Sequence, residues 1–219
     1  MADNTTDIGE VFLKNVRLSF PDLFEPKTFK NKDGSESKPR YGCSFLLPKD
    51  NSAVGKYPGP EGKTMPALIA LKKAKEAVLL EYDSKFDFKK LKAANHCVRD
   101  GDEERYDGYE NMFYVSCGNP KQPVLVDELR KKIEQSSGKL YGGCYVNAIV
   151  RLWVQKPGKN DDGTPRPLRV NCSVEAVQHW EDGEAFGRKP IDPTKGFEVK
   201  DGVGFDNDED EGEDEDDLV

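Results

Sequence analysis

The sequence predicts a mainly β protein: an OB-fold, the small Greek-key barrel, with a helix-bearing insertion and a disordered acidic C-terminal tail. Three observations lead there. About five runs of residues have strand-like patterning, one substantial helical pattern lies between the early and late strands, and acidic residues crowd the end of the chain. At 219 residues the chain suits one folded domain, expected over about residues 8–200, and a tail over 201–219.

Glu10 to Phe20 reads as the first strand, with an irregularity. Val11 and Leu13 are on one phase and Val16, Leu18 and Phe20 on the other, so one extra residue near Lys14 and Asn15 restores a single buried face. Pro21 and Pro26 are expected to end it. Pro26 to Arg40 has Asp33-Gly34-Ser35 at its centre and Lys27, Lys30, Lys32, Lys38 and Arg40 along its arms, the pattern of a basic hairpin loop. The next strand is Tyr41 to Leu47. Asn51 to Met65, rich in Gly and Pro, reads as an irregular connection. Its Gly59-Pro-Glu-Gly-Lys-Thr64 is not a phosphate loop, because Tyr57 stands where the first glycine would be. Pro66 opens a helix to about Tyr82, with Leu68, Leu71, Ala74, Val78 and Tyr82 on one face. Asp83 to Asp107 is charged and weakly periodic. Strands follow at Met112 to Cys117 and Val124 to Val126, then a short helix to Gln135, then strands at Cys144 to Val154 and Leu168 to Val177. Gln155 to Pro167 joins the last two as a second basic loop.

Charge separates body from tail. The chain holds 33 Lys plus Arg against 41 Asp plus Glu, net -8, but ten of the acids lie in Asp206–Val219; 31 acids remain against the 33 bases, so the body carries about +2. Such a tail can be a solubilising end, or a polyanion that competes for a basic groove and presents Leu218-Val219 to a partner. Asp206, Asp208 and Asp210 alternate as in a calcium loop, but Glu211 replaces the required glycine. No apolar run approaches a membrane span of about 18–20 residues, and the first residues lack the regions of a signal peptide, so a cytoplasmic protein is expected. Five scattered cysteines without a CxxC pair suit reduced thiols.

The strand Cys144 to Val154 carries most of the functional information. Cys144, Val146, Ala148, Val150, Leu152 and Val154 form an apolar face for the core. Tyr145, Asn147, Ile149, Arg151 and Trp153 form the other, where flat rings and a guanidinium at alternate positions offer stacking surface for unpaired bases and charge for phosphates. The competing reading packs this second face under the helix or another layer. Tyr41, Tyr114 and Tyr141 add candidate stacking rings, with Tyr106, Tyr109 and Phe113 close by in sequence. Lys30, Lys32, Lys38 and Arg40 from one loop, with Lys156, Lys159, Arg166 and Arg169 from the other, are the candidate phosphate contacts. No catalytic set is evident and neither a metal nor a cofactor is expected. His96-Cys97 lacks a second zinc pair and His179 lacks a nucleophile partner. Two other classes stay open: a metal-dependent nuclease built on Asp100, Asp102, Glu103 and Glu104, and a scaffold that recruits partners through its tail.

Four motifs point further. Arg99-Asp-Gly-Asp102, Tyr109-Glu-Asn-Met-Phe-Tyr-Val115, Leu140-Tyr-Gly-Gly-Cys-Tyr-Val-Asn147 and Ala176-Val-Gln-His-Trp-Glu-Asp-Gly-Glu-Ala-Phe-Gly187, in this order and followed by an acidic tail, resemble the Enc-type family of tailed-phage single-stranded-DNA-binding proteins. The likeness runs from about Phe12 to Gly187. It implies an OB-fold core, no catalytic activity, single-stranded DNA as partner, a role in phage DNA replication or recombination in the host cytoplasm, and contact with replication or recombination proteins through the tail. Oligomeric state stays open at this point.

Overall fold

The structure, a computed structural model, describes residues 7–28, 36–160 and 163–187. The tail, its expected boundary at residue 200, Lys30 and Lys32 lie outside the described residues. Strands β1 (Glu10–Lys27), β2 (Arg40–Pro48), β3 (Val54–Tyr57) and β4 (Lys63–Pro66) precede helix α1 (Ala67–Tyr82). After it come β5 (Val98–Asp100), β6 (Met112–Asn119), β7 (Val124–Val126), β8 (Tyr145–Gln155), β9 (Gly158–Lys159), β10 (Pro165–Arg166) and β11 (Arg169–Glu181). The main sheet runs β5-β6-β2-β1-β8-β11-β7, all antiparallel except β7 against β11. It closes where β6 meets β11. Asn119 Nδ2 donates to the Val174 carbonyl at 2.9 Å, and Cys117 Sγ lies 3.3 Å from Cys172 Sγ. The result is the OB-fold barrel the sequence predicts.

The irregularity in β1 is a bulge at Lys14–Asn15, where the register against β8 shifts between Leu13 and Val16. Asn15 takes a left-handed φ of 50°, tolerable for asparagine, and its N–H donates 2.9 Å to the buried Asn147 Oδ1. Val11, Leu13, Val16 and Leu18 all reach the core as a result. The strand does not end at Pro21. It shifts register against β2 between Ser19 and Asp22, with Phe20 at φ 47°, and continues to Lys27. The missing proline N–H groups are tolerated because they fall where the ladder is already interrupted.

Three further expectations are corrected. Asn51 to Met65 is not irregular throughout: β3 and β4 pair as a hairpin, and Gly55 suits the tight space in it, since a Cβ there would come within 3.1 Å of Ala67 Cα and the Phe12 carbonyl. Helix α1 buries Ala67, Ala70, Leu71, Ala74, Val78 and Leu79, spaced for one face, whereas Tyr82 ends exposed. No α-helix lies between β7 and β8. Asp127 Oδ1 accepts from the Leu129 and Lys131 amides, Arg130 turns the chain at φ 64°, and Ile133 N–H returns to the Leu125 carbonyl, leaving a single 3₁₀ turn at Gln135–Ser137. No described helix is long and apolar enough to cross a membrane.

Beyond β11 the chain straps back over the barrel. Arg17 donates to the Glu184 carbonyl at 2.7 Å and lies 4.3 Å over the Phe186 ring; Phe186 packs on Leu46, Tyr109 and Tyr114, and Gly187 N–H bonds Asp107.

Candidate nucleic-acid interface

β8 separates its faces as its alternation demands. Cys144, Val146, Ala148, Val150 and Leu152 are buried, and Trp153 is 42% exposed. The outer face nevertheless divides along its length. Tyr145, half-buried, lies 5.6 Å from the Arg17 guanidinium beside the strap. Asn147 is buried and bonds Asn15 and Gln178. Arg151 faces two carboxylates, its Nε 2.9 Å from Asp7 Oδ2 and its Nη2 3.6 Å from Glu10 Oε2, an ion pair that neutralises the charge expected for phosphate. Trp153 lines a groove that the other residues of this face do not reach. Eight residues at about 3.3 Å each separate it from Tyr145, roughly 26 Å, so the two rings do not form one platform.

The groove, about 470 Å³, crosses the strands. Its walls and rim include Phe20 on β1, Arg40 on β2, Arg99 on β5, Arg169 and Asn171 on β11, and Trp153 on β8. Between them lie Gly42, Ser44, Ser116 and Gly118, where β2 and β6 present small residues. Three guanidiniums face one carboxylate, Asp22, which is itself paired with Lys27. Trp153 is steadied by its Nε1–H donating 3.1 Å to Ser173 Oγ, and Arg169 by a 3.3 Å bond to the Ala94 carbonyl. Beneath, Cys43, Cys97, Cys117 and Cys172 meet the groove as buried free thiols. Burial pushes Cys43 and Cys172 up and Cys117 up to about 11, and hydrogen bonding to Cys172 together with burial raises Cys97. Protonated thiols place no negative charge under a bound polyanion.

Of the residues expected to bind, the structure brings Trp153, Arg40 and Arg169 together at this groove. Lys156 joins Trp153, Arg151 and Tyr82 in a shallower cleft on the other side of the Trp153 ring. Lys38 is exposed ahead of β2, and Lys159 and Arg166 sit on the β9–β10 hairpin, away from the groove lining. The three candidate tyrosines do not line the groove. Tyr41, half-buried, shares the phase of Cys43, Phe45 and Leu47 on β2. Tyr114 is buried, its OH donating 2.6 Å to Glu104, and burial with that carboxylate pushes its phenol up to about 12. Tyr141 OH donates to the Gly183 carbonyl at 2.9 Å and accepts from the Gly183 amide, pinning the strap.

Sequence reasoning missed Phe20 and Arg99. Phe20 shares the expected core phase of Val16 and Leu18, and the bulge before Asp22 turns it outward; Arg99 stands beside acids whose pattern suggests metal ligands. Those acids are occupied. Lys49 Nζ bridges Asp100 at 2.5 Å and Asp102 at 2.7 Å, holding both carboxyls below the usual range, while Asp100 and Asp102 also accept the Asp102 and Asn111 amides. Among the described residues no three His, Cys, Asp or Glu side chains converge on a metal position.

The family model of the single-stranded-DNA-binding protein of Enterobacter phage Enc34 matches residues 9–214. A protein called "Putative protein p50" from Acyrthosiphon pisum secondary endosymbiont phage 1 is 30% identical over 183 residues, covering 81% of this chain and 86% of its own. Among solved structures, the single-stranded DNA-binding protein from bacteriophage Enc34 in complex with ssDNA superposes with a TM-score of 0.60 at 25% identity, covering 82% of this chain and 90% of that one. Its C-terminal truncation gives 0.56 at 26% identity, with 81% and 89% covered.

Proposed function

The chain belongs to the Enc34 single-stranded-DNA-binding protein family, and on that premise we propose that it binds single-stranded DNA without sequence preference in the groove described above. The observation that supports this most is a half-exposed Trp153 ring set among the guanidiniums of Arg40, Arg99 and Arg169. Every base has a π-face, so stacking on Trp153 is tolerant of sequence, and guanidiniums take phosphate oxygens, which every nucleotide carries, in a forked geometry. The small floor residues let the strand lie close to the barrel. The role is non-catalytic: coating unpaired DNA during phage DNA replication or recombination, in the cytoplasm of the host. The domain extends over about residues 8–200. Residues 201–219, with their eleven acids, compete with DNA for the arginines and offer Leu218-Val219 to replication or recombination proteins.

Titrating the intrinsic fluorescence with oligo-dT at several salt concentrations tests the reading. Quenching on binding is expected. Three phosphate contacts give a slope of log K against log salt of about -2 without tail competition, from roughly 0.7 per contact on single strands, and a shallower one in the full chain. A protein that leaves oligo-dT unbound at low salt would return the scaffold alternative. Magnesium-dependent shortening of the oligonucleotide would return the nuclease.

A further inference from the structure

We propose that Phe20, backed by Tyr106, forms a second base-stacking subsite at the end of the groove opposite Trp153. The inference rests on the single-strand reading above and adds to it where the strand runs and what receives it at the far end.

Phe20 is 52% exposed and sits at φ 47°, in the left-handed region where a bulky side chain is disfavoured. Local backbone preference does not explain a phenylalanine here, since a glycine would take this φ without cost, and contact with Tyr106 and Tyr109 still leaves half of the ring exposed. Strained, exposed positions of this kind belong to functional sites more often than to packing. The bulge between Ser19 and Asp22 turns the ring outward, and the ring lines the groove.

The ring is held from behind. Tyr106, also 52% exposed, meets it edge-on with centroids 4.9 Å apart. Tyr109 follows Tyr106 at 5.4 Å and Tyr114 follows Tyr109 at 5.2 Å, and these last two rings are buried. Tyr109 OH also donates 3.2 Å to Ser19 Oγ, the residue next to Phe20. A ladder of four rings thus runs from the core to the groove and fixes its outermost member before any ligand arrives, which is the condition for low-cost stacking.

The lining residues also give the direction of the path. Moving from Phe20 on β1 through Gly42 and Ser44 on β2, Ser116 and Gly118 on β6 and Asn171 on β11 to Trp153 on β8 crosses four gaps between strands, about 20 Å at the usual spacing. The strand of DNA runs across the β-strands, with an aromatic at each end and phosphates toward Arg40, Arg99 and Arg169.

Four variants and one ligand test this: Phe20→Ala, Phe20→Leu, Phe20→Tyr and Phe20→Trp in the full chain, with oligo-dT as probe and thermal melting as a check on folding. Phe20→Leu keeps apolar volume against Tyr106 and Tyr109 but has no ring. The subsite predicts that Phe20→Ala and Phe20→Leu each weaken binding about tenfold, that Phe20→Tyr stays within twofold, and that Phe20→Trp adds emission that oligo-dT quenches. Folded Phe20→Leu protein with unchanged affinity, or a Phe20→Trp signal indifferent to DNA, overturns the subsite and leaves the single-strand reading intact. Failure of the unsubstituted protein to bind oligo-dT removes both.

Discussion

Trp153 lies at the surface with one polar tether, the bond to Ser173, so its removal is expected to cost DNA affinity rather than stability. Losing one stacking platform is worth about 1–3 kcal/mol, so Trp153→Ala should weaken oligo-dT binding by about 5- to 150-fold with the melting temperature nearly unchanged. Trp180 has similar exposure, 45%, but does not line the groove, and Trp180→Ala should leave affinity within twofold. The pair controls for loss of any exposed indole. Equal effects, or unfolding by Trp153→Ala without weaker binding in the folded fraction, would mean the groove is misplaced. Arg151 shows why the rest of that face could not be read from the strand alone. Alternation fixes which way a side chain points, and did so correctly along β8, but Asp7 and Glu10, which neutralise Arg151, arrive from another strand and its approach. The sequence gives no sign of that meeting. Phe20 and Arg99 escaped for the related reason that a groove is assembled from residues distant in sequence, while periodicity speaks only of neighbours.

Elements were most legible where a period persisted. The two phases of β8, the stripe on α1 and the slip in β1 at Asn15 can be read directly; the four-residue strands β3 and β4 are too short to show a period. The Asn15 bulge carries a prediction. Asn147 Oδ1 satisfies the Asn15 amide, and Asn147→Leu leaves that donor without its acceptor, at a cost of about 1–3 kcal/mol. The urea midpoint should fall with the slope unchanged, and an unchanged midpoint would show that the bulge finds another acceptor. Ion pairs fasten other connections, and their titration has a definite sign. Lys139 holds Glu128 down to about 2, and Lys49 lowers Asp100 and Asp102. Each folded value lies below that of the unfolded chain, about 4.3 for Glu and 3.9 for Asp. These pairs therefore stabilise the fold above about pH 4, and Glu128's contribution is lost as pH falls toward 2. Lys139→Met should flatten the fall in melting temperature across that window. A pH profile identical to that of the unsubstituted protein would show that the pair contributes nothing.

For the whole molecule, charge is the property the sequence states most clearly, and it yields the most consequential prediction. The body carries about +2 and the last fourteen residues ten acids. Tyr141 and Asp107 pin the strap, so the remaining chain departs from a fixed point at Gly187. The 18 residues 188–205 can span up to about 60 Å, roughly three times the groove path of about 20 Å, which leaves the acids within reach of the arginines. An intramolecular polyanion on so short a connection needs little intrinsic affinity, because the connection supplies an effective concentration of order millimolar. Ending the chain after Phe205 should therefore tighten oligo-dT binding, most at low ionic strength, where the arginines feel both phosphates and tail acids with least screening. As salt rises, DNA and tail are screened together and the two affinities should converge. The competitor also alters the salt slope, because in the full chain each phosphate contact displaces a tail carboxylate instead of releasing only solution ions, so the full chain should show the shallower dependence. Affinities of the two forms measured from about 20 to 500 mM salt decide it. Parallel lines separated by a constant factor would place the tail's effect outside electrostatics, and coincident lines would confine the tail to solubility or to recruiting partners.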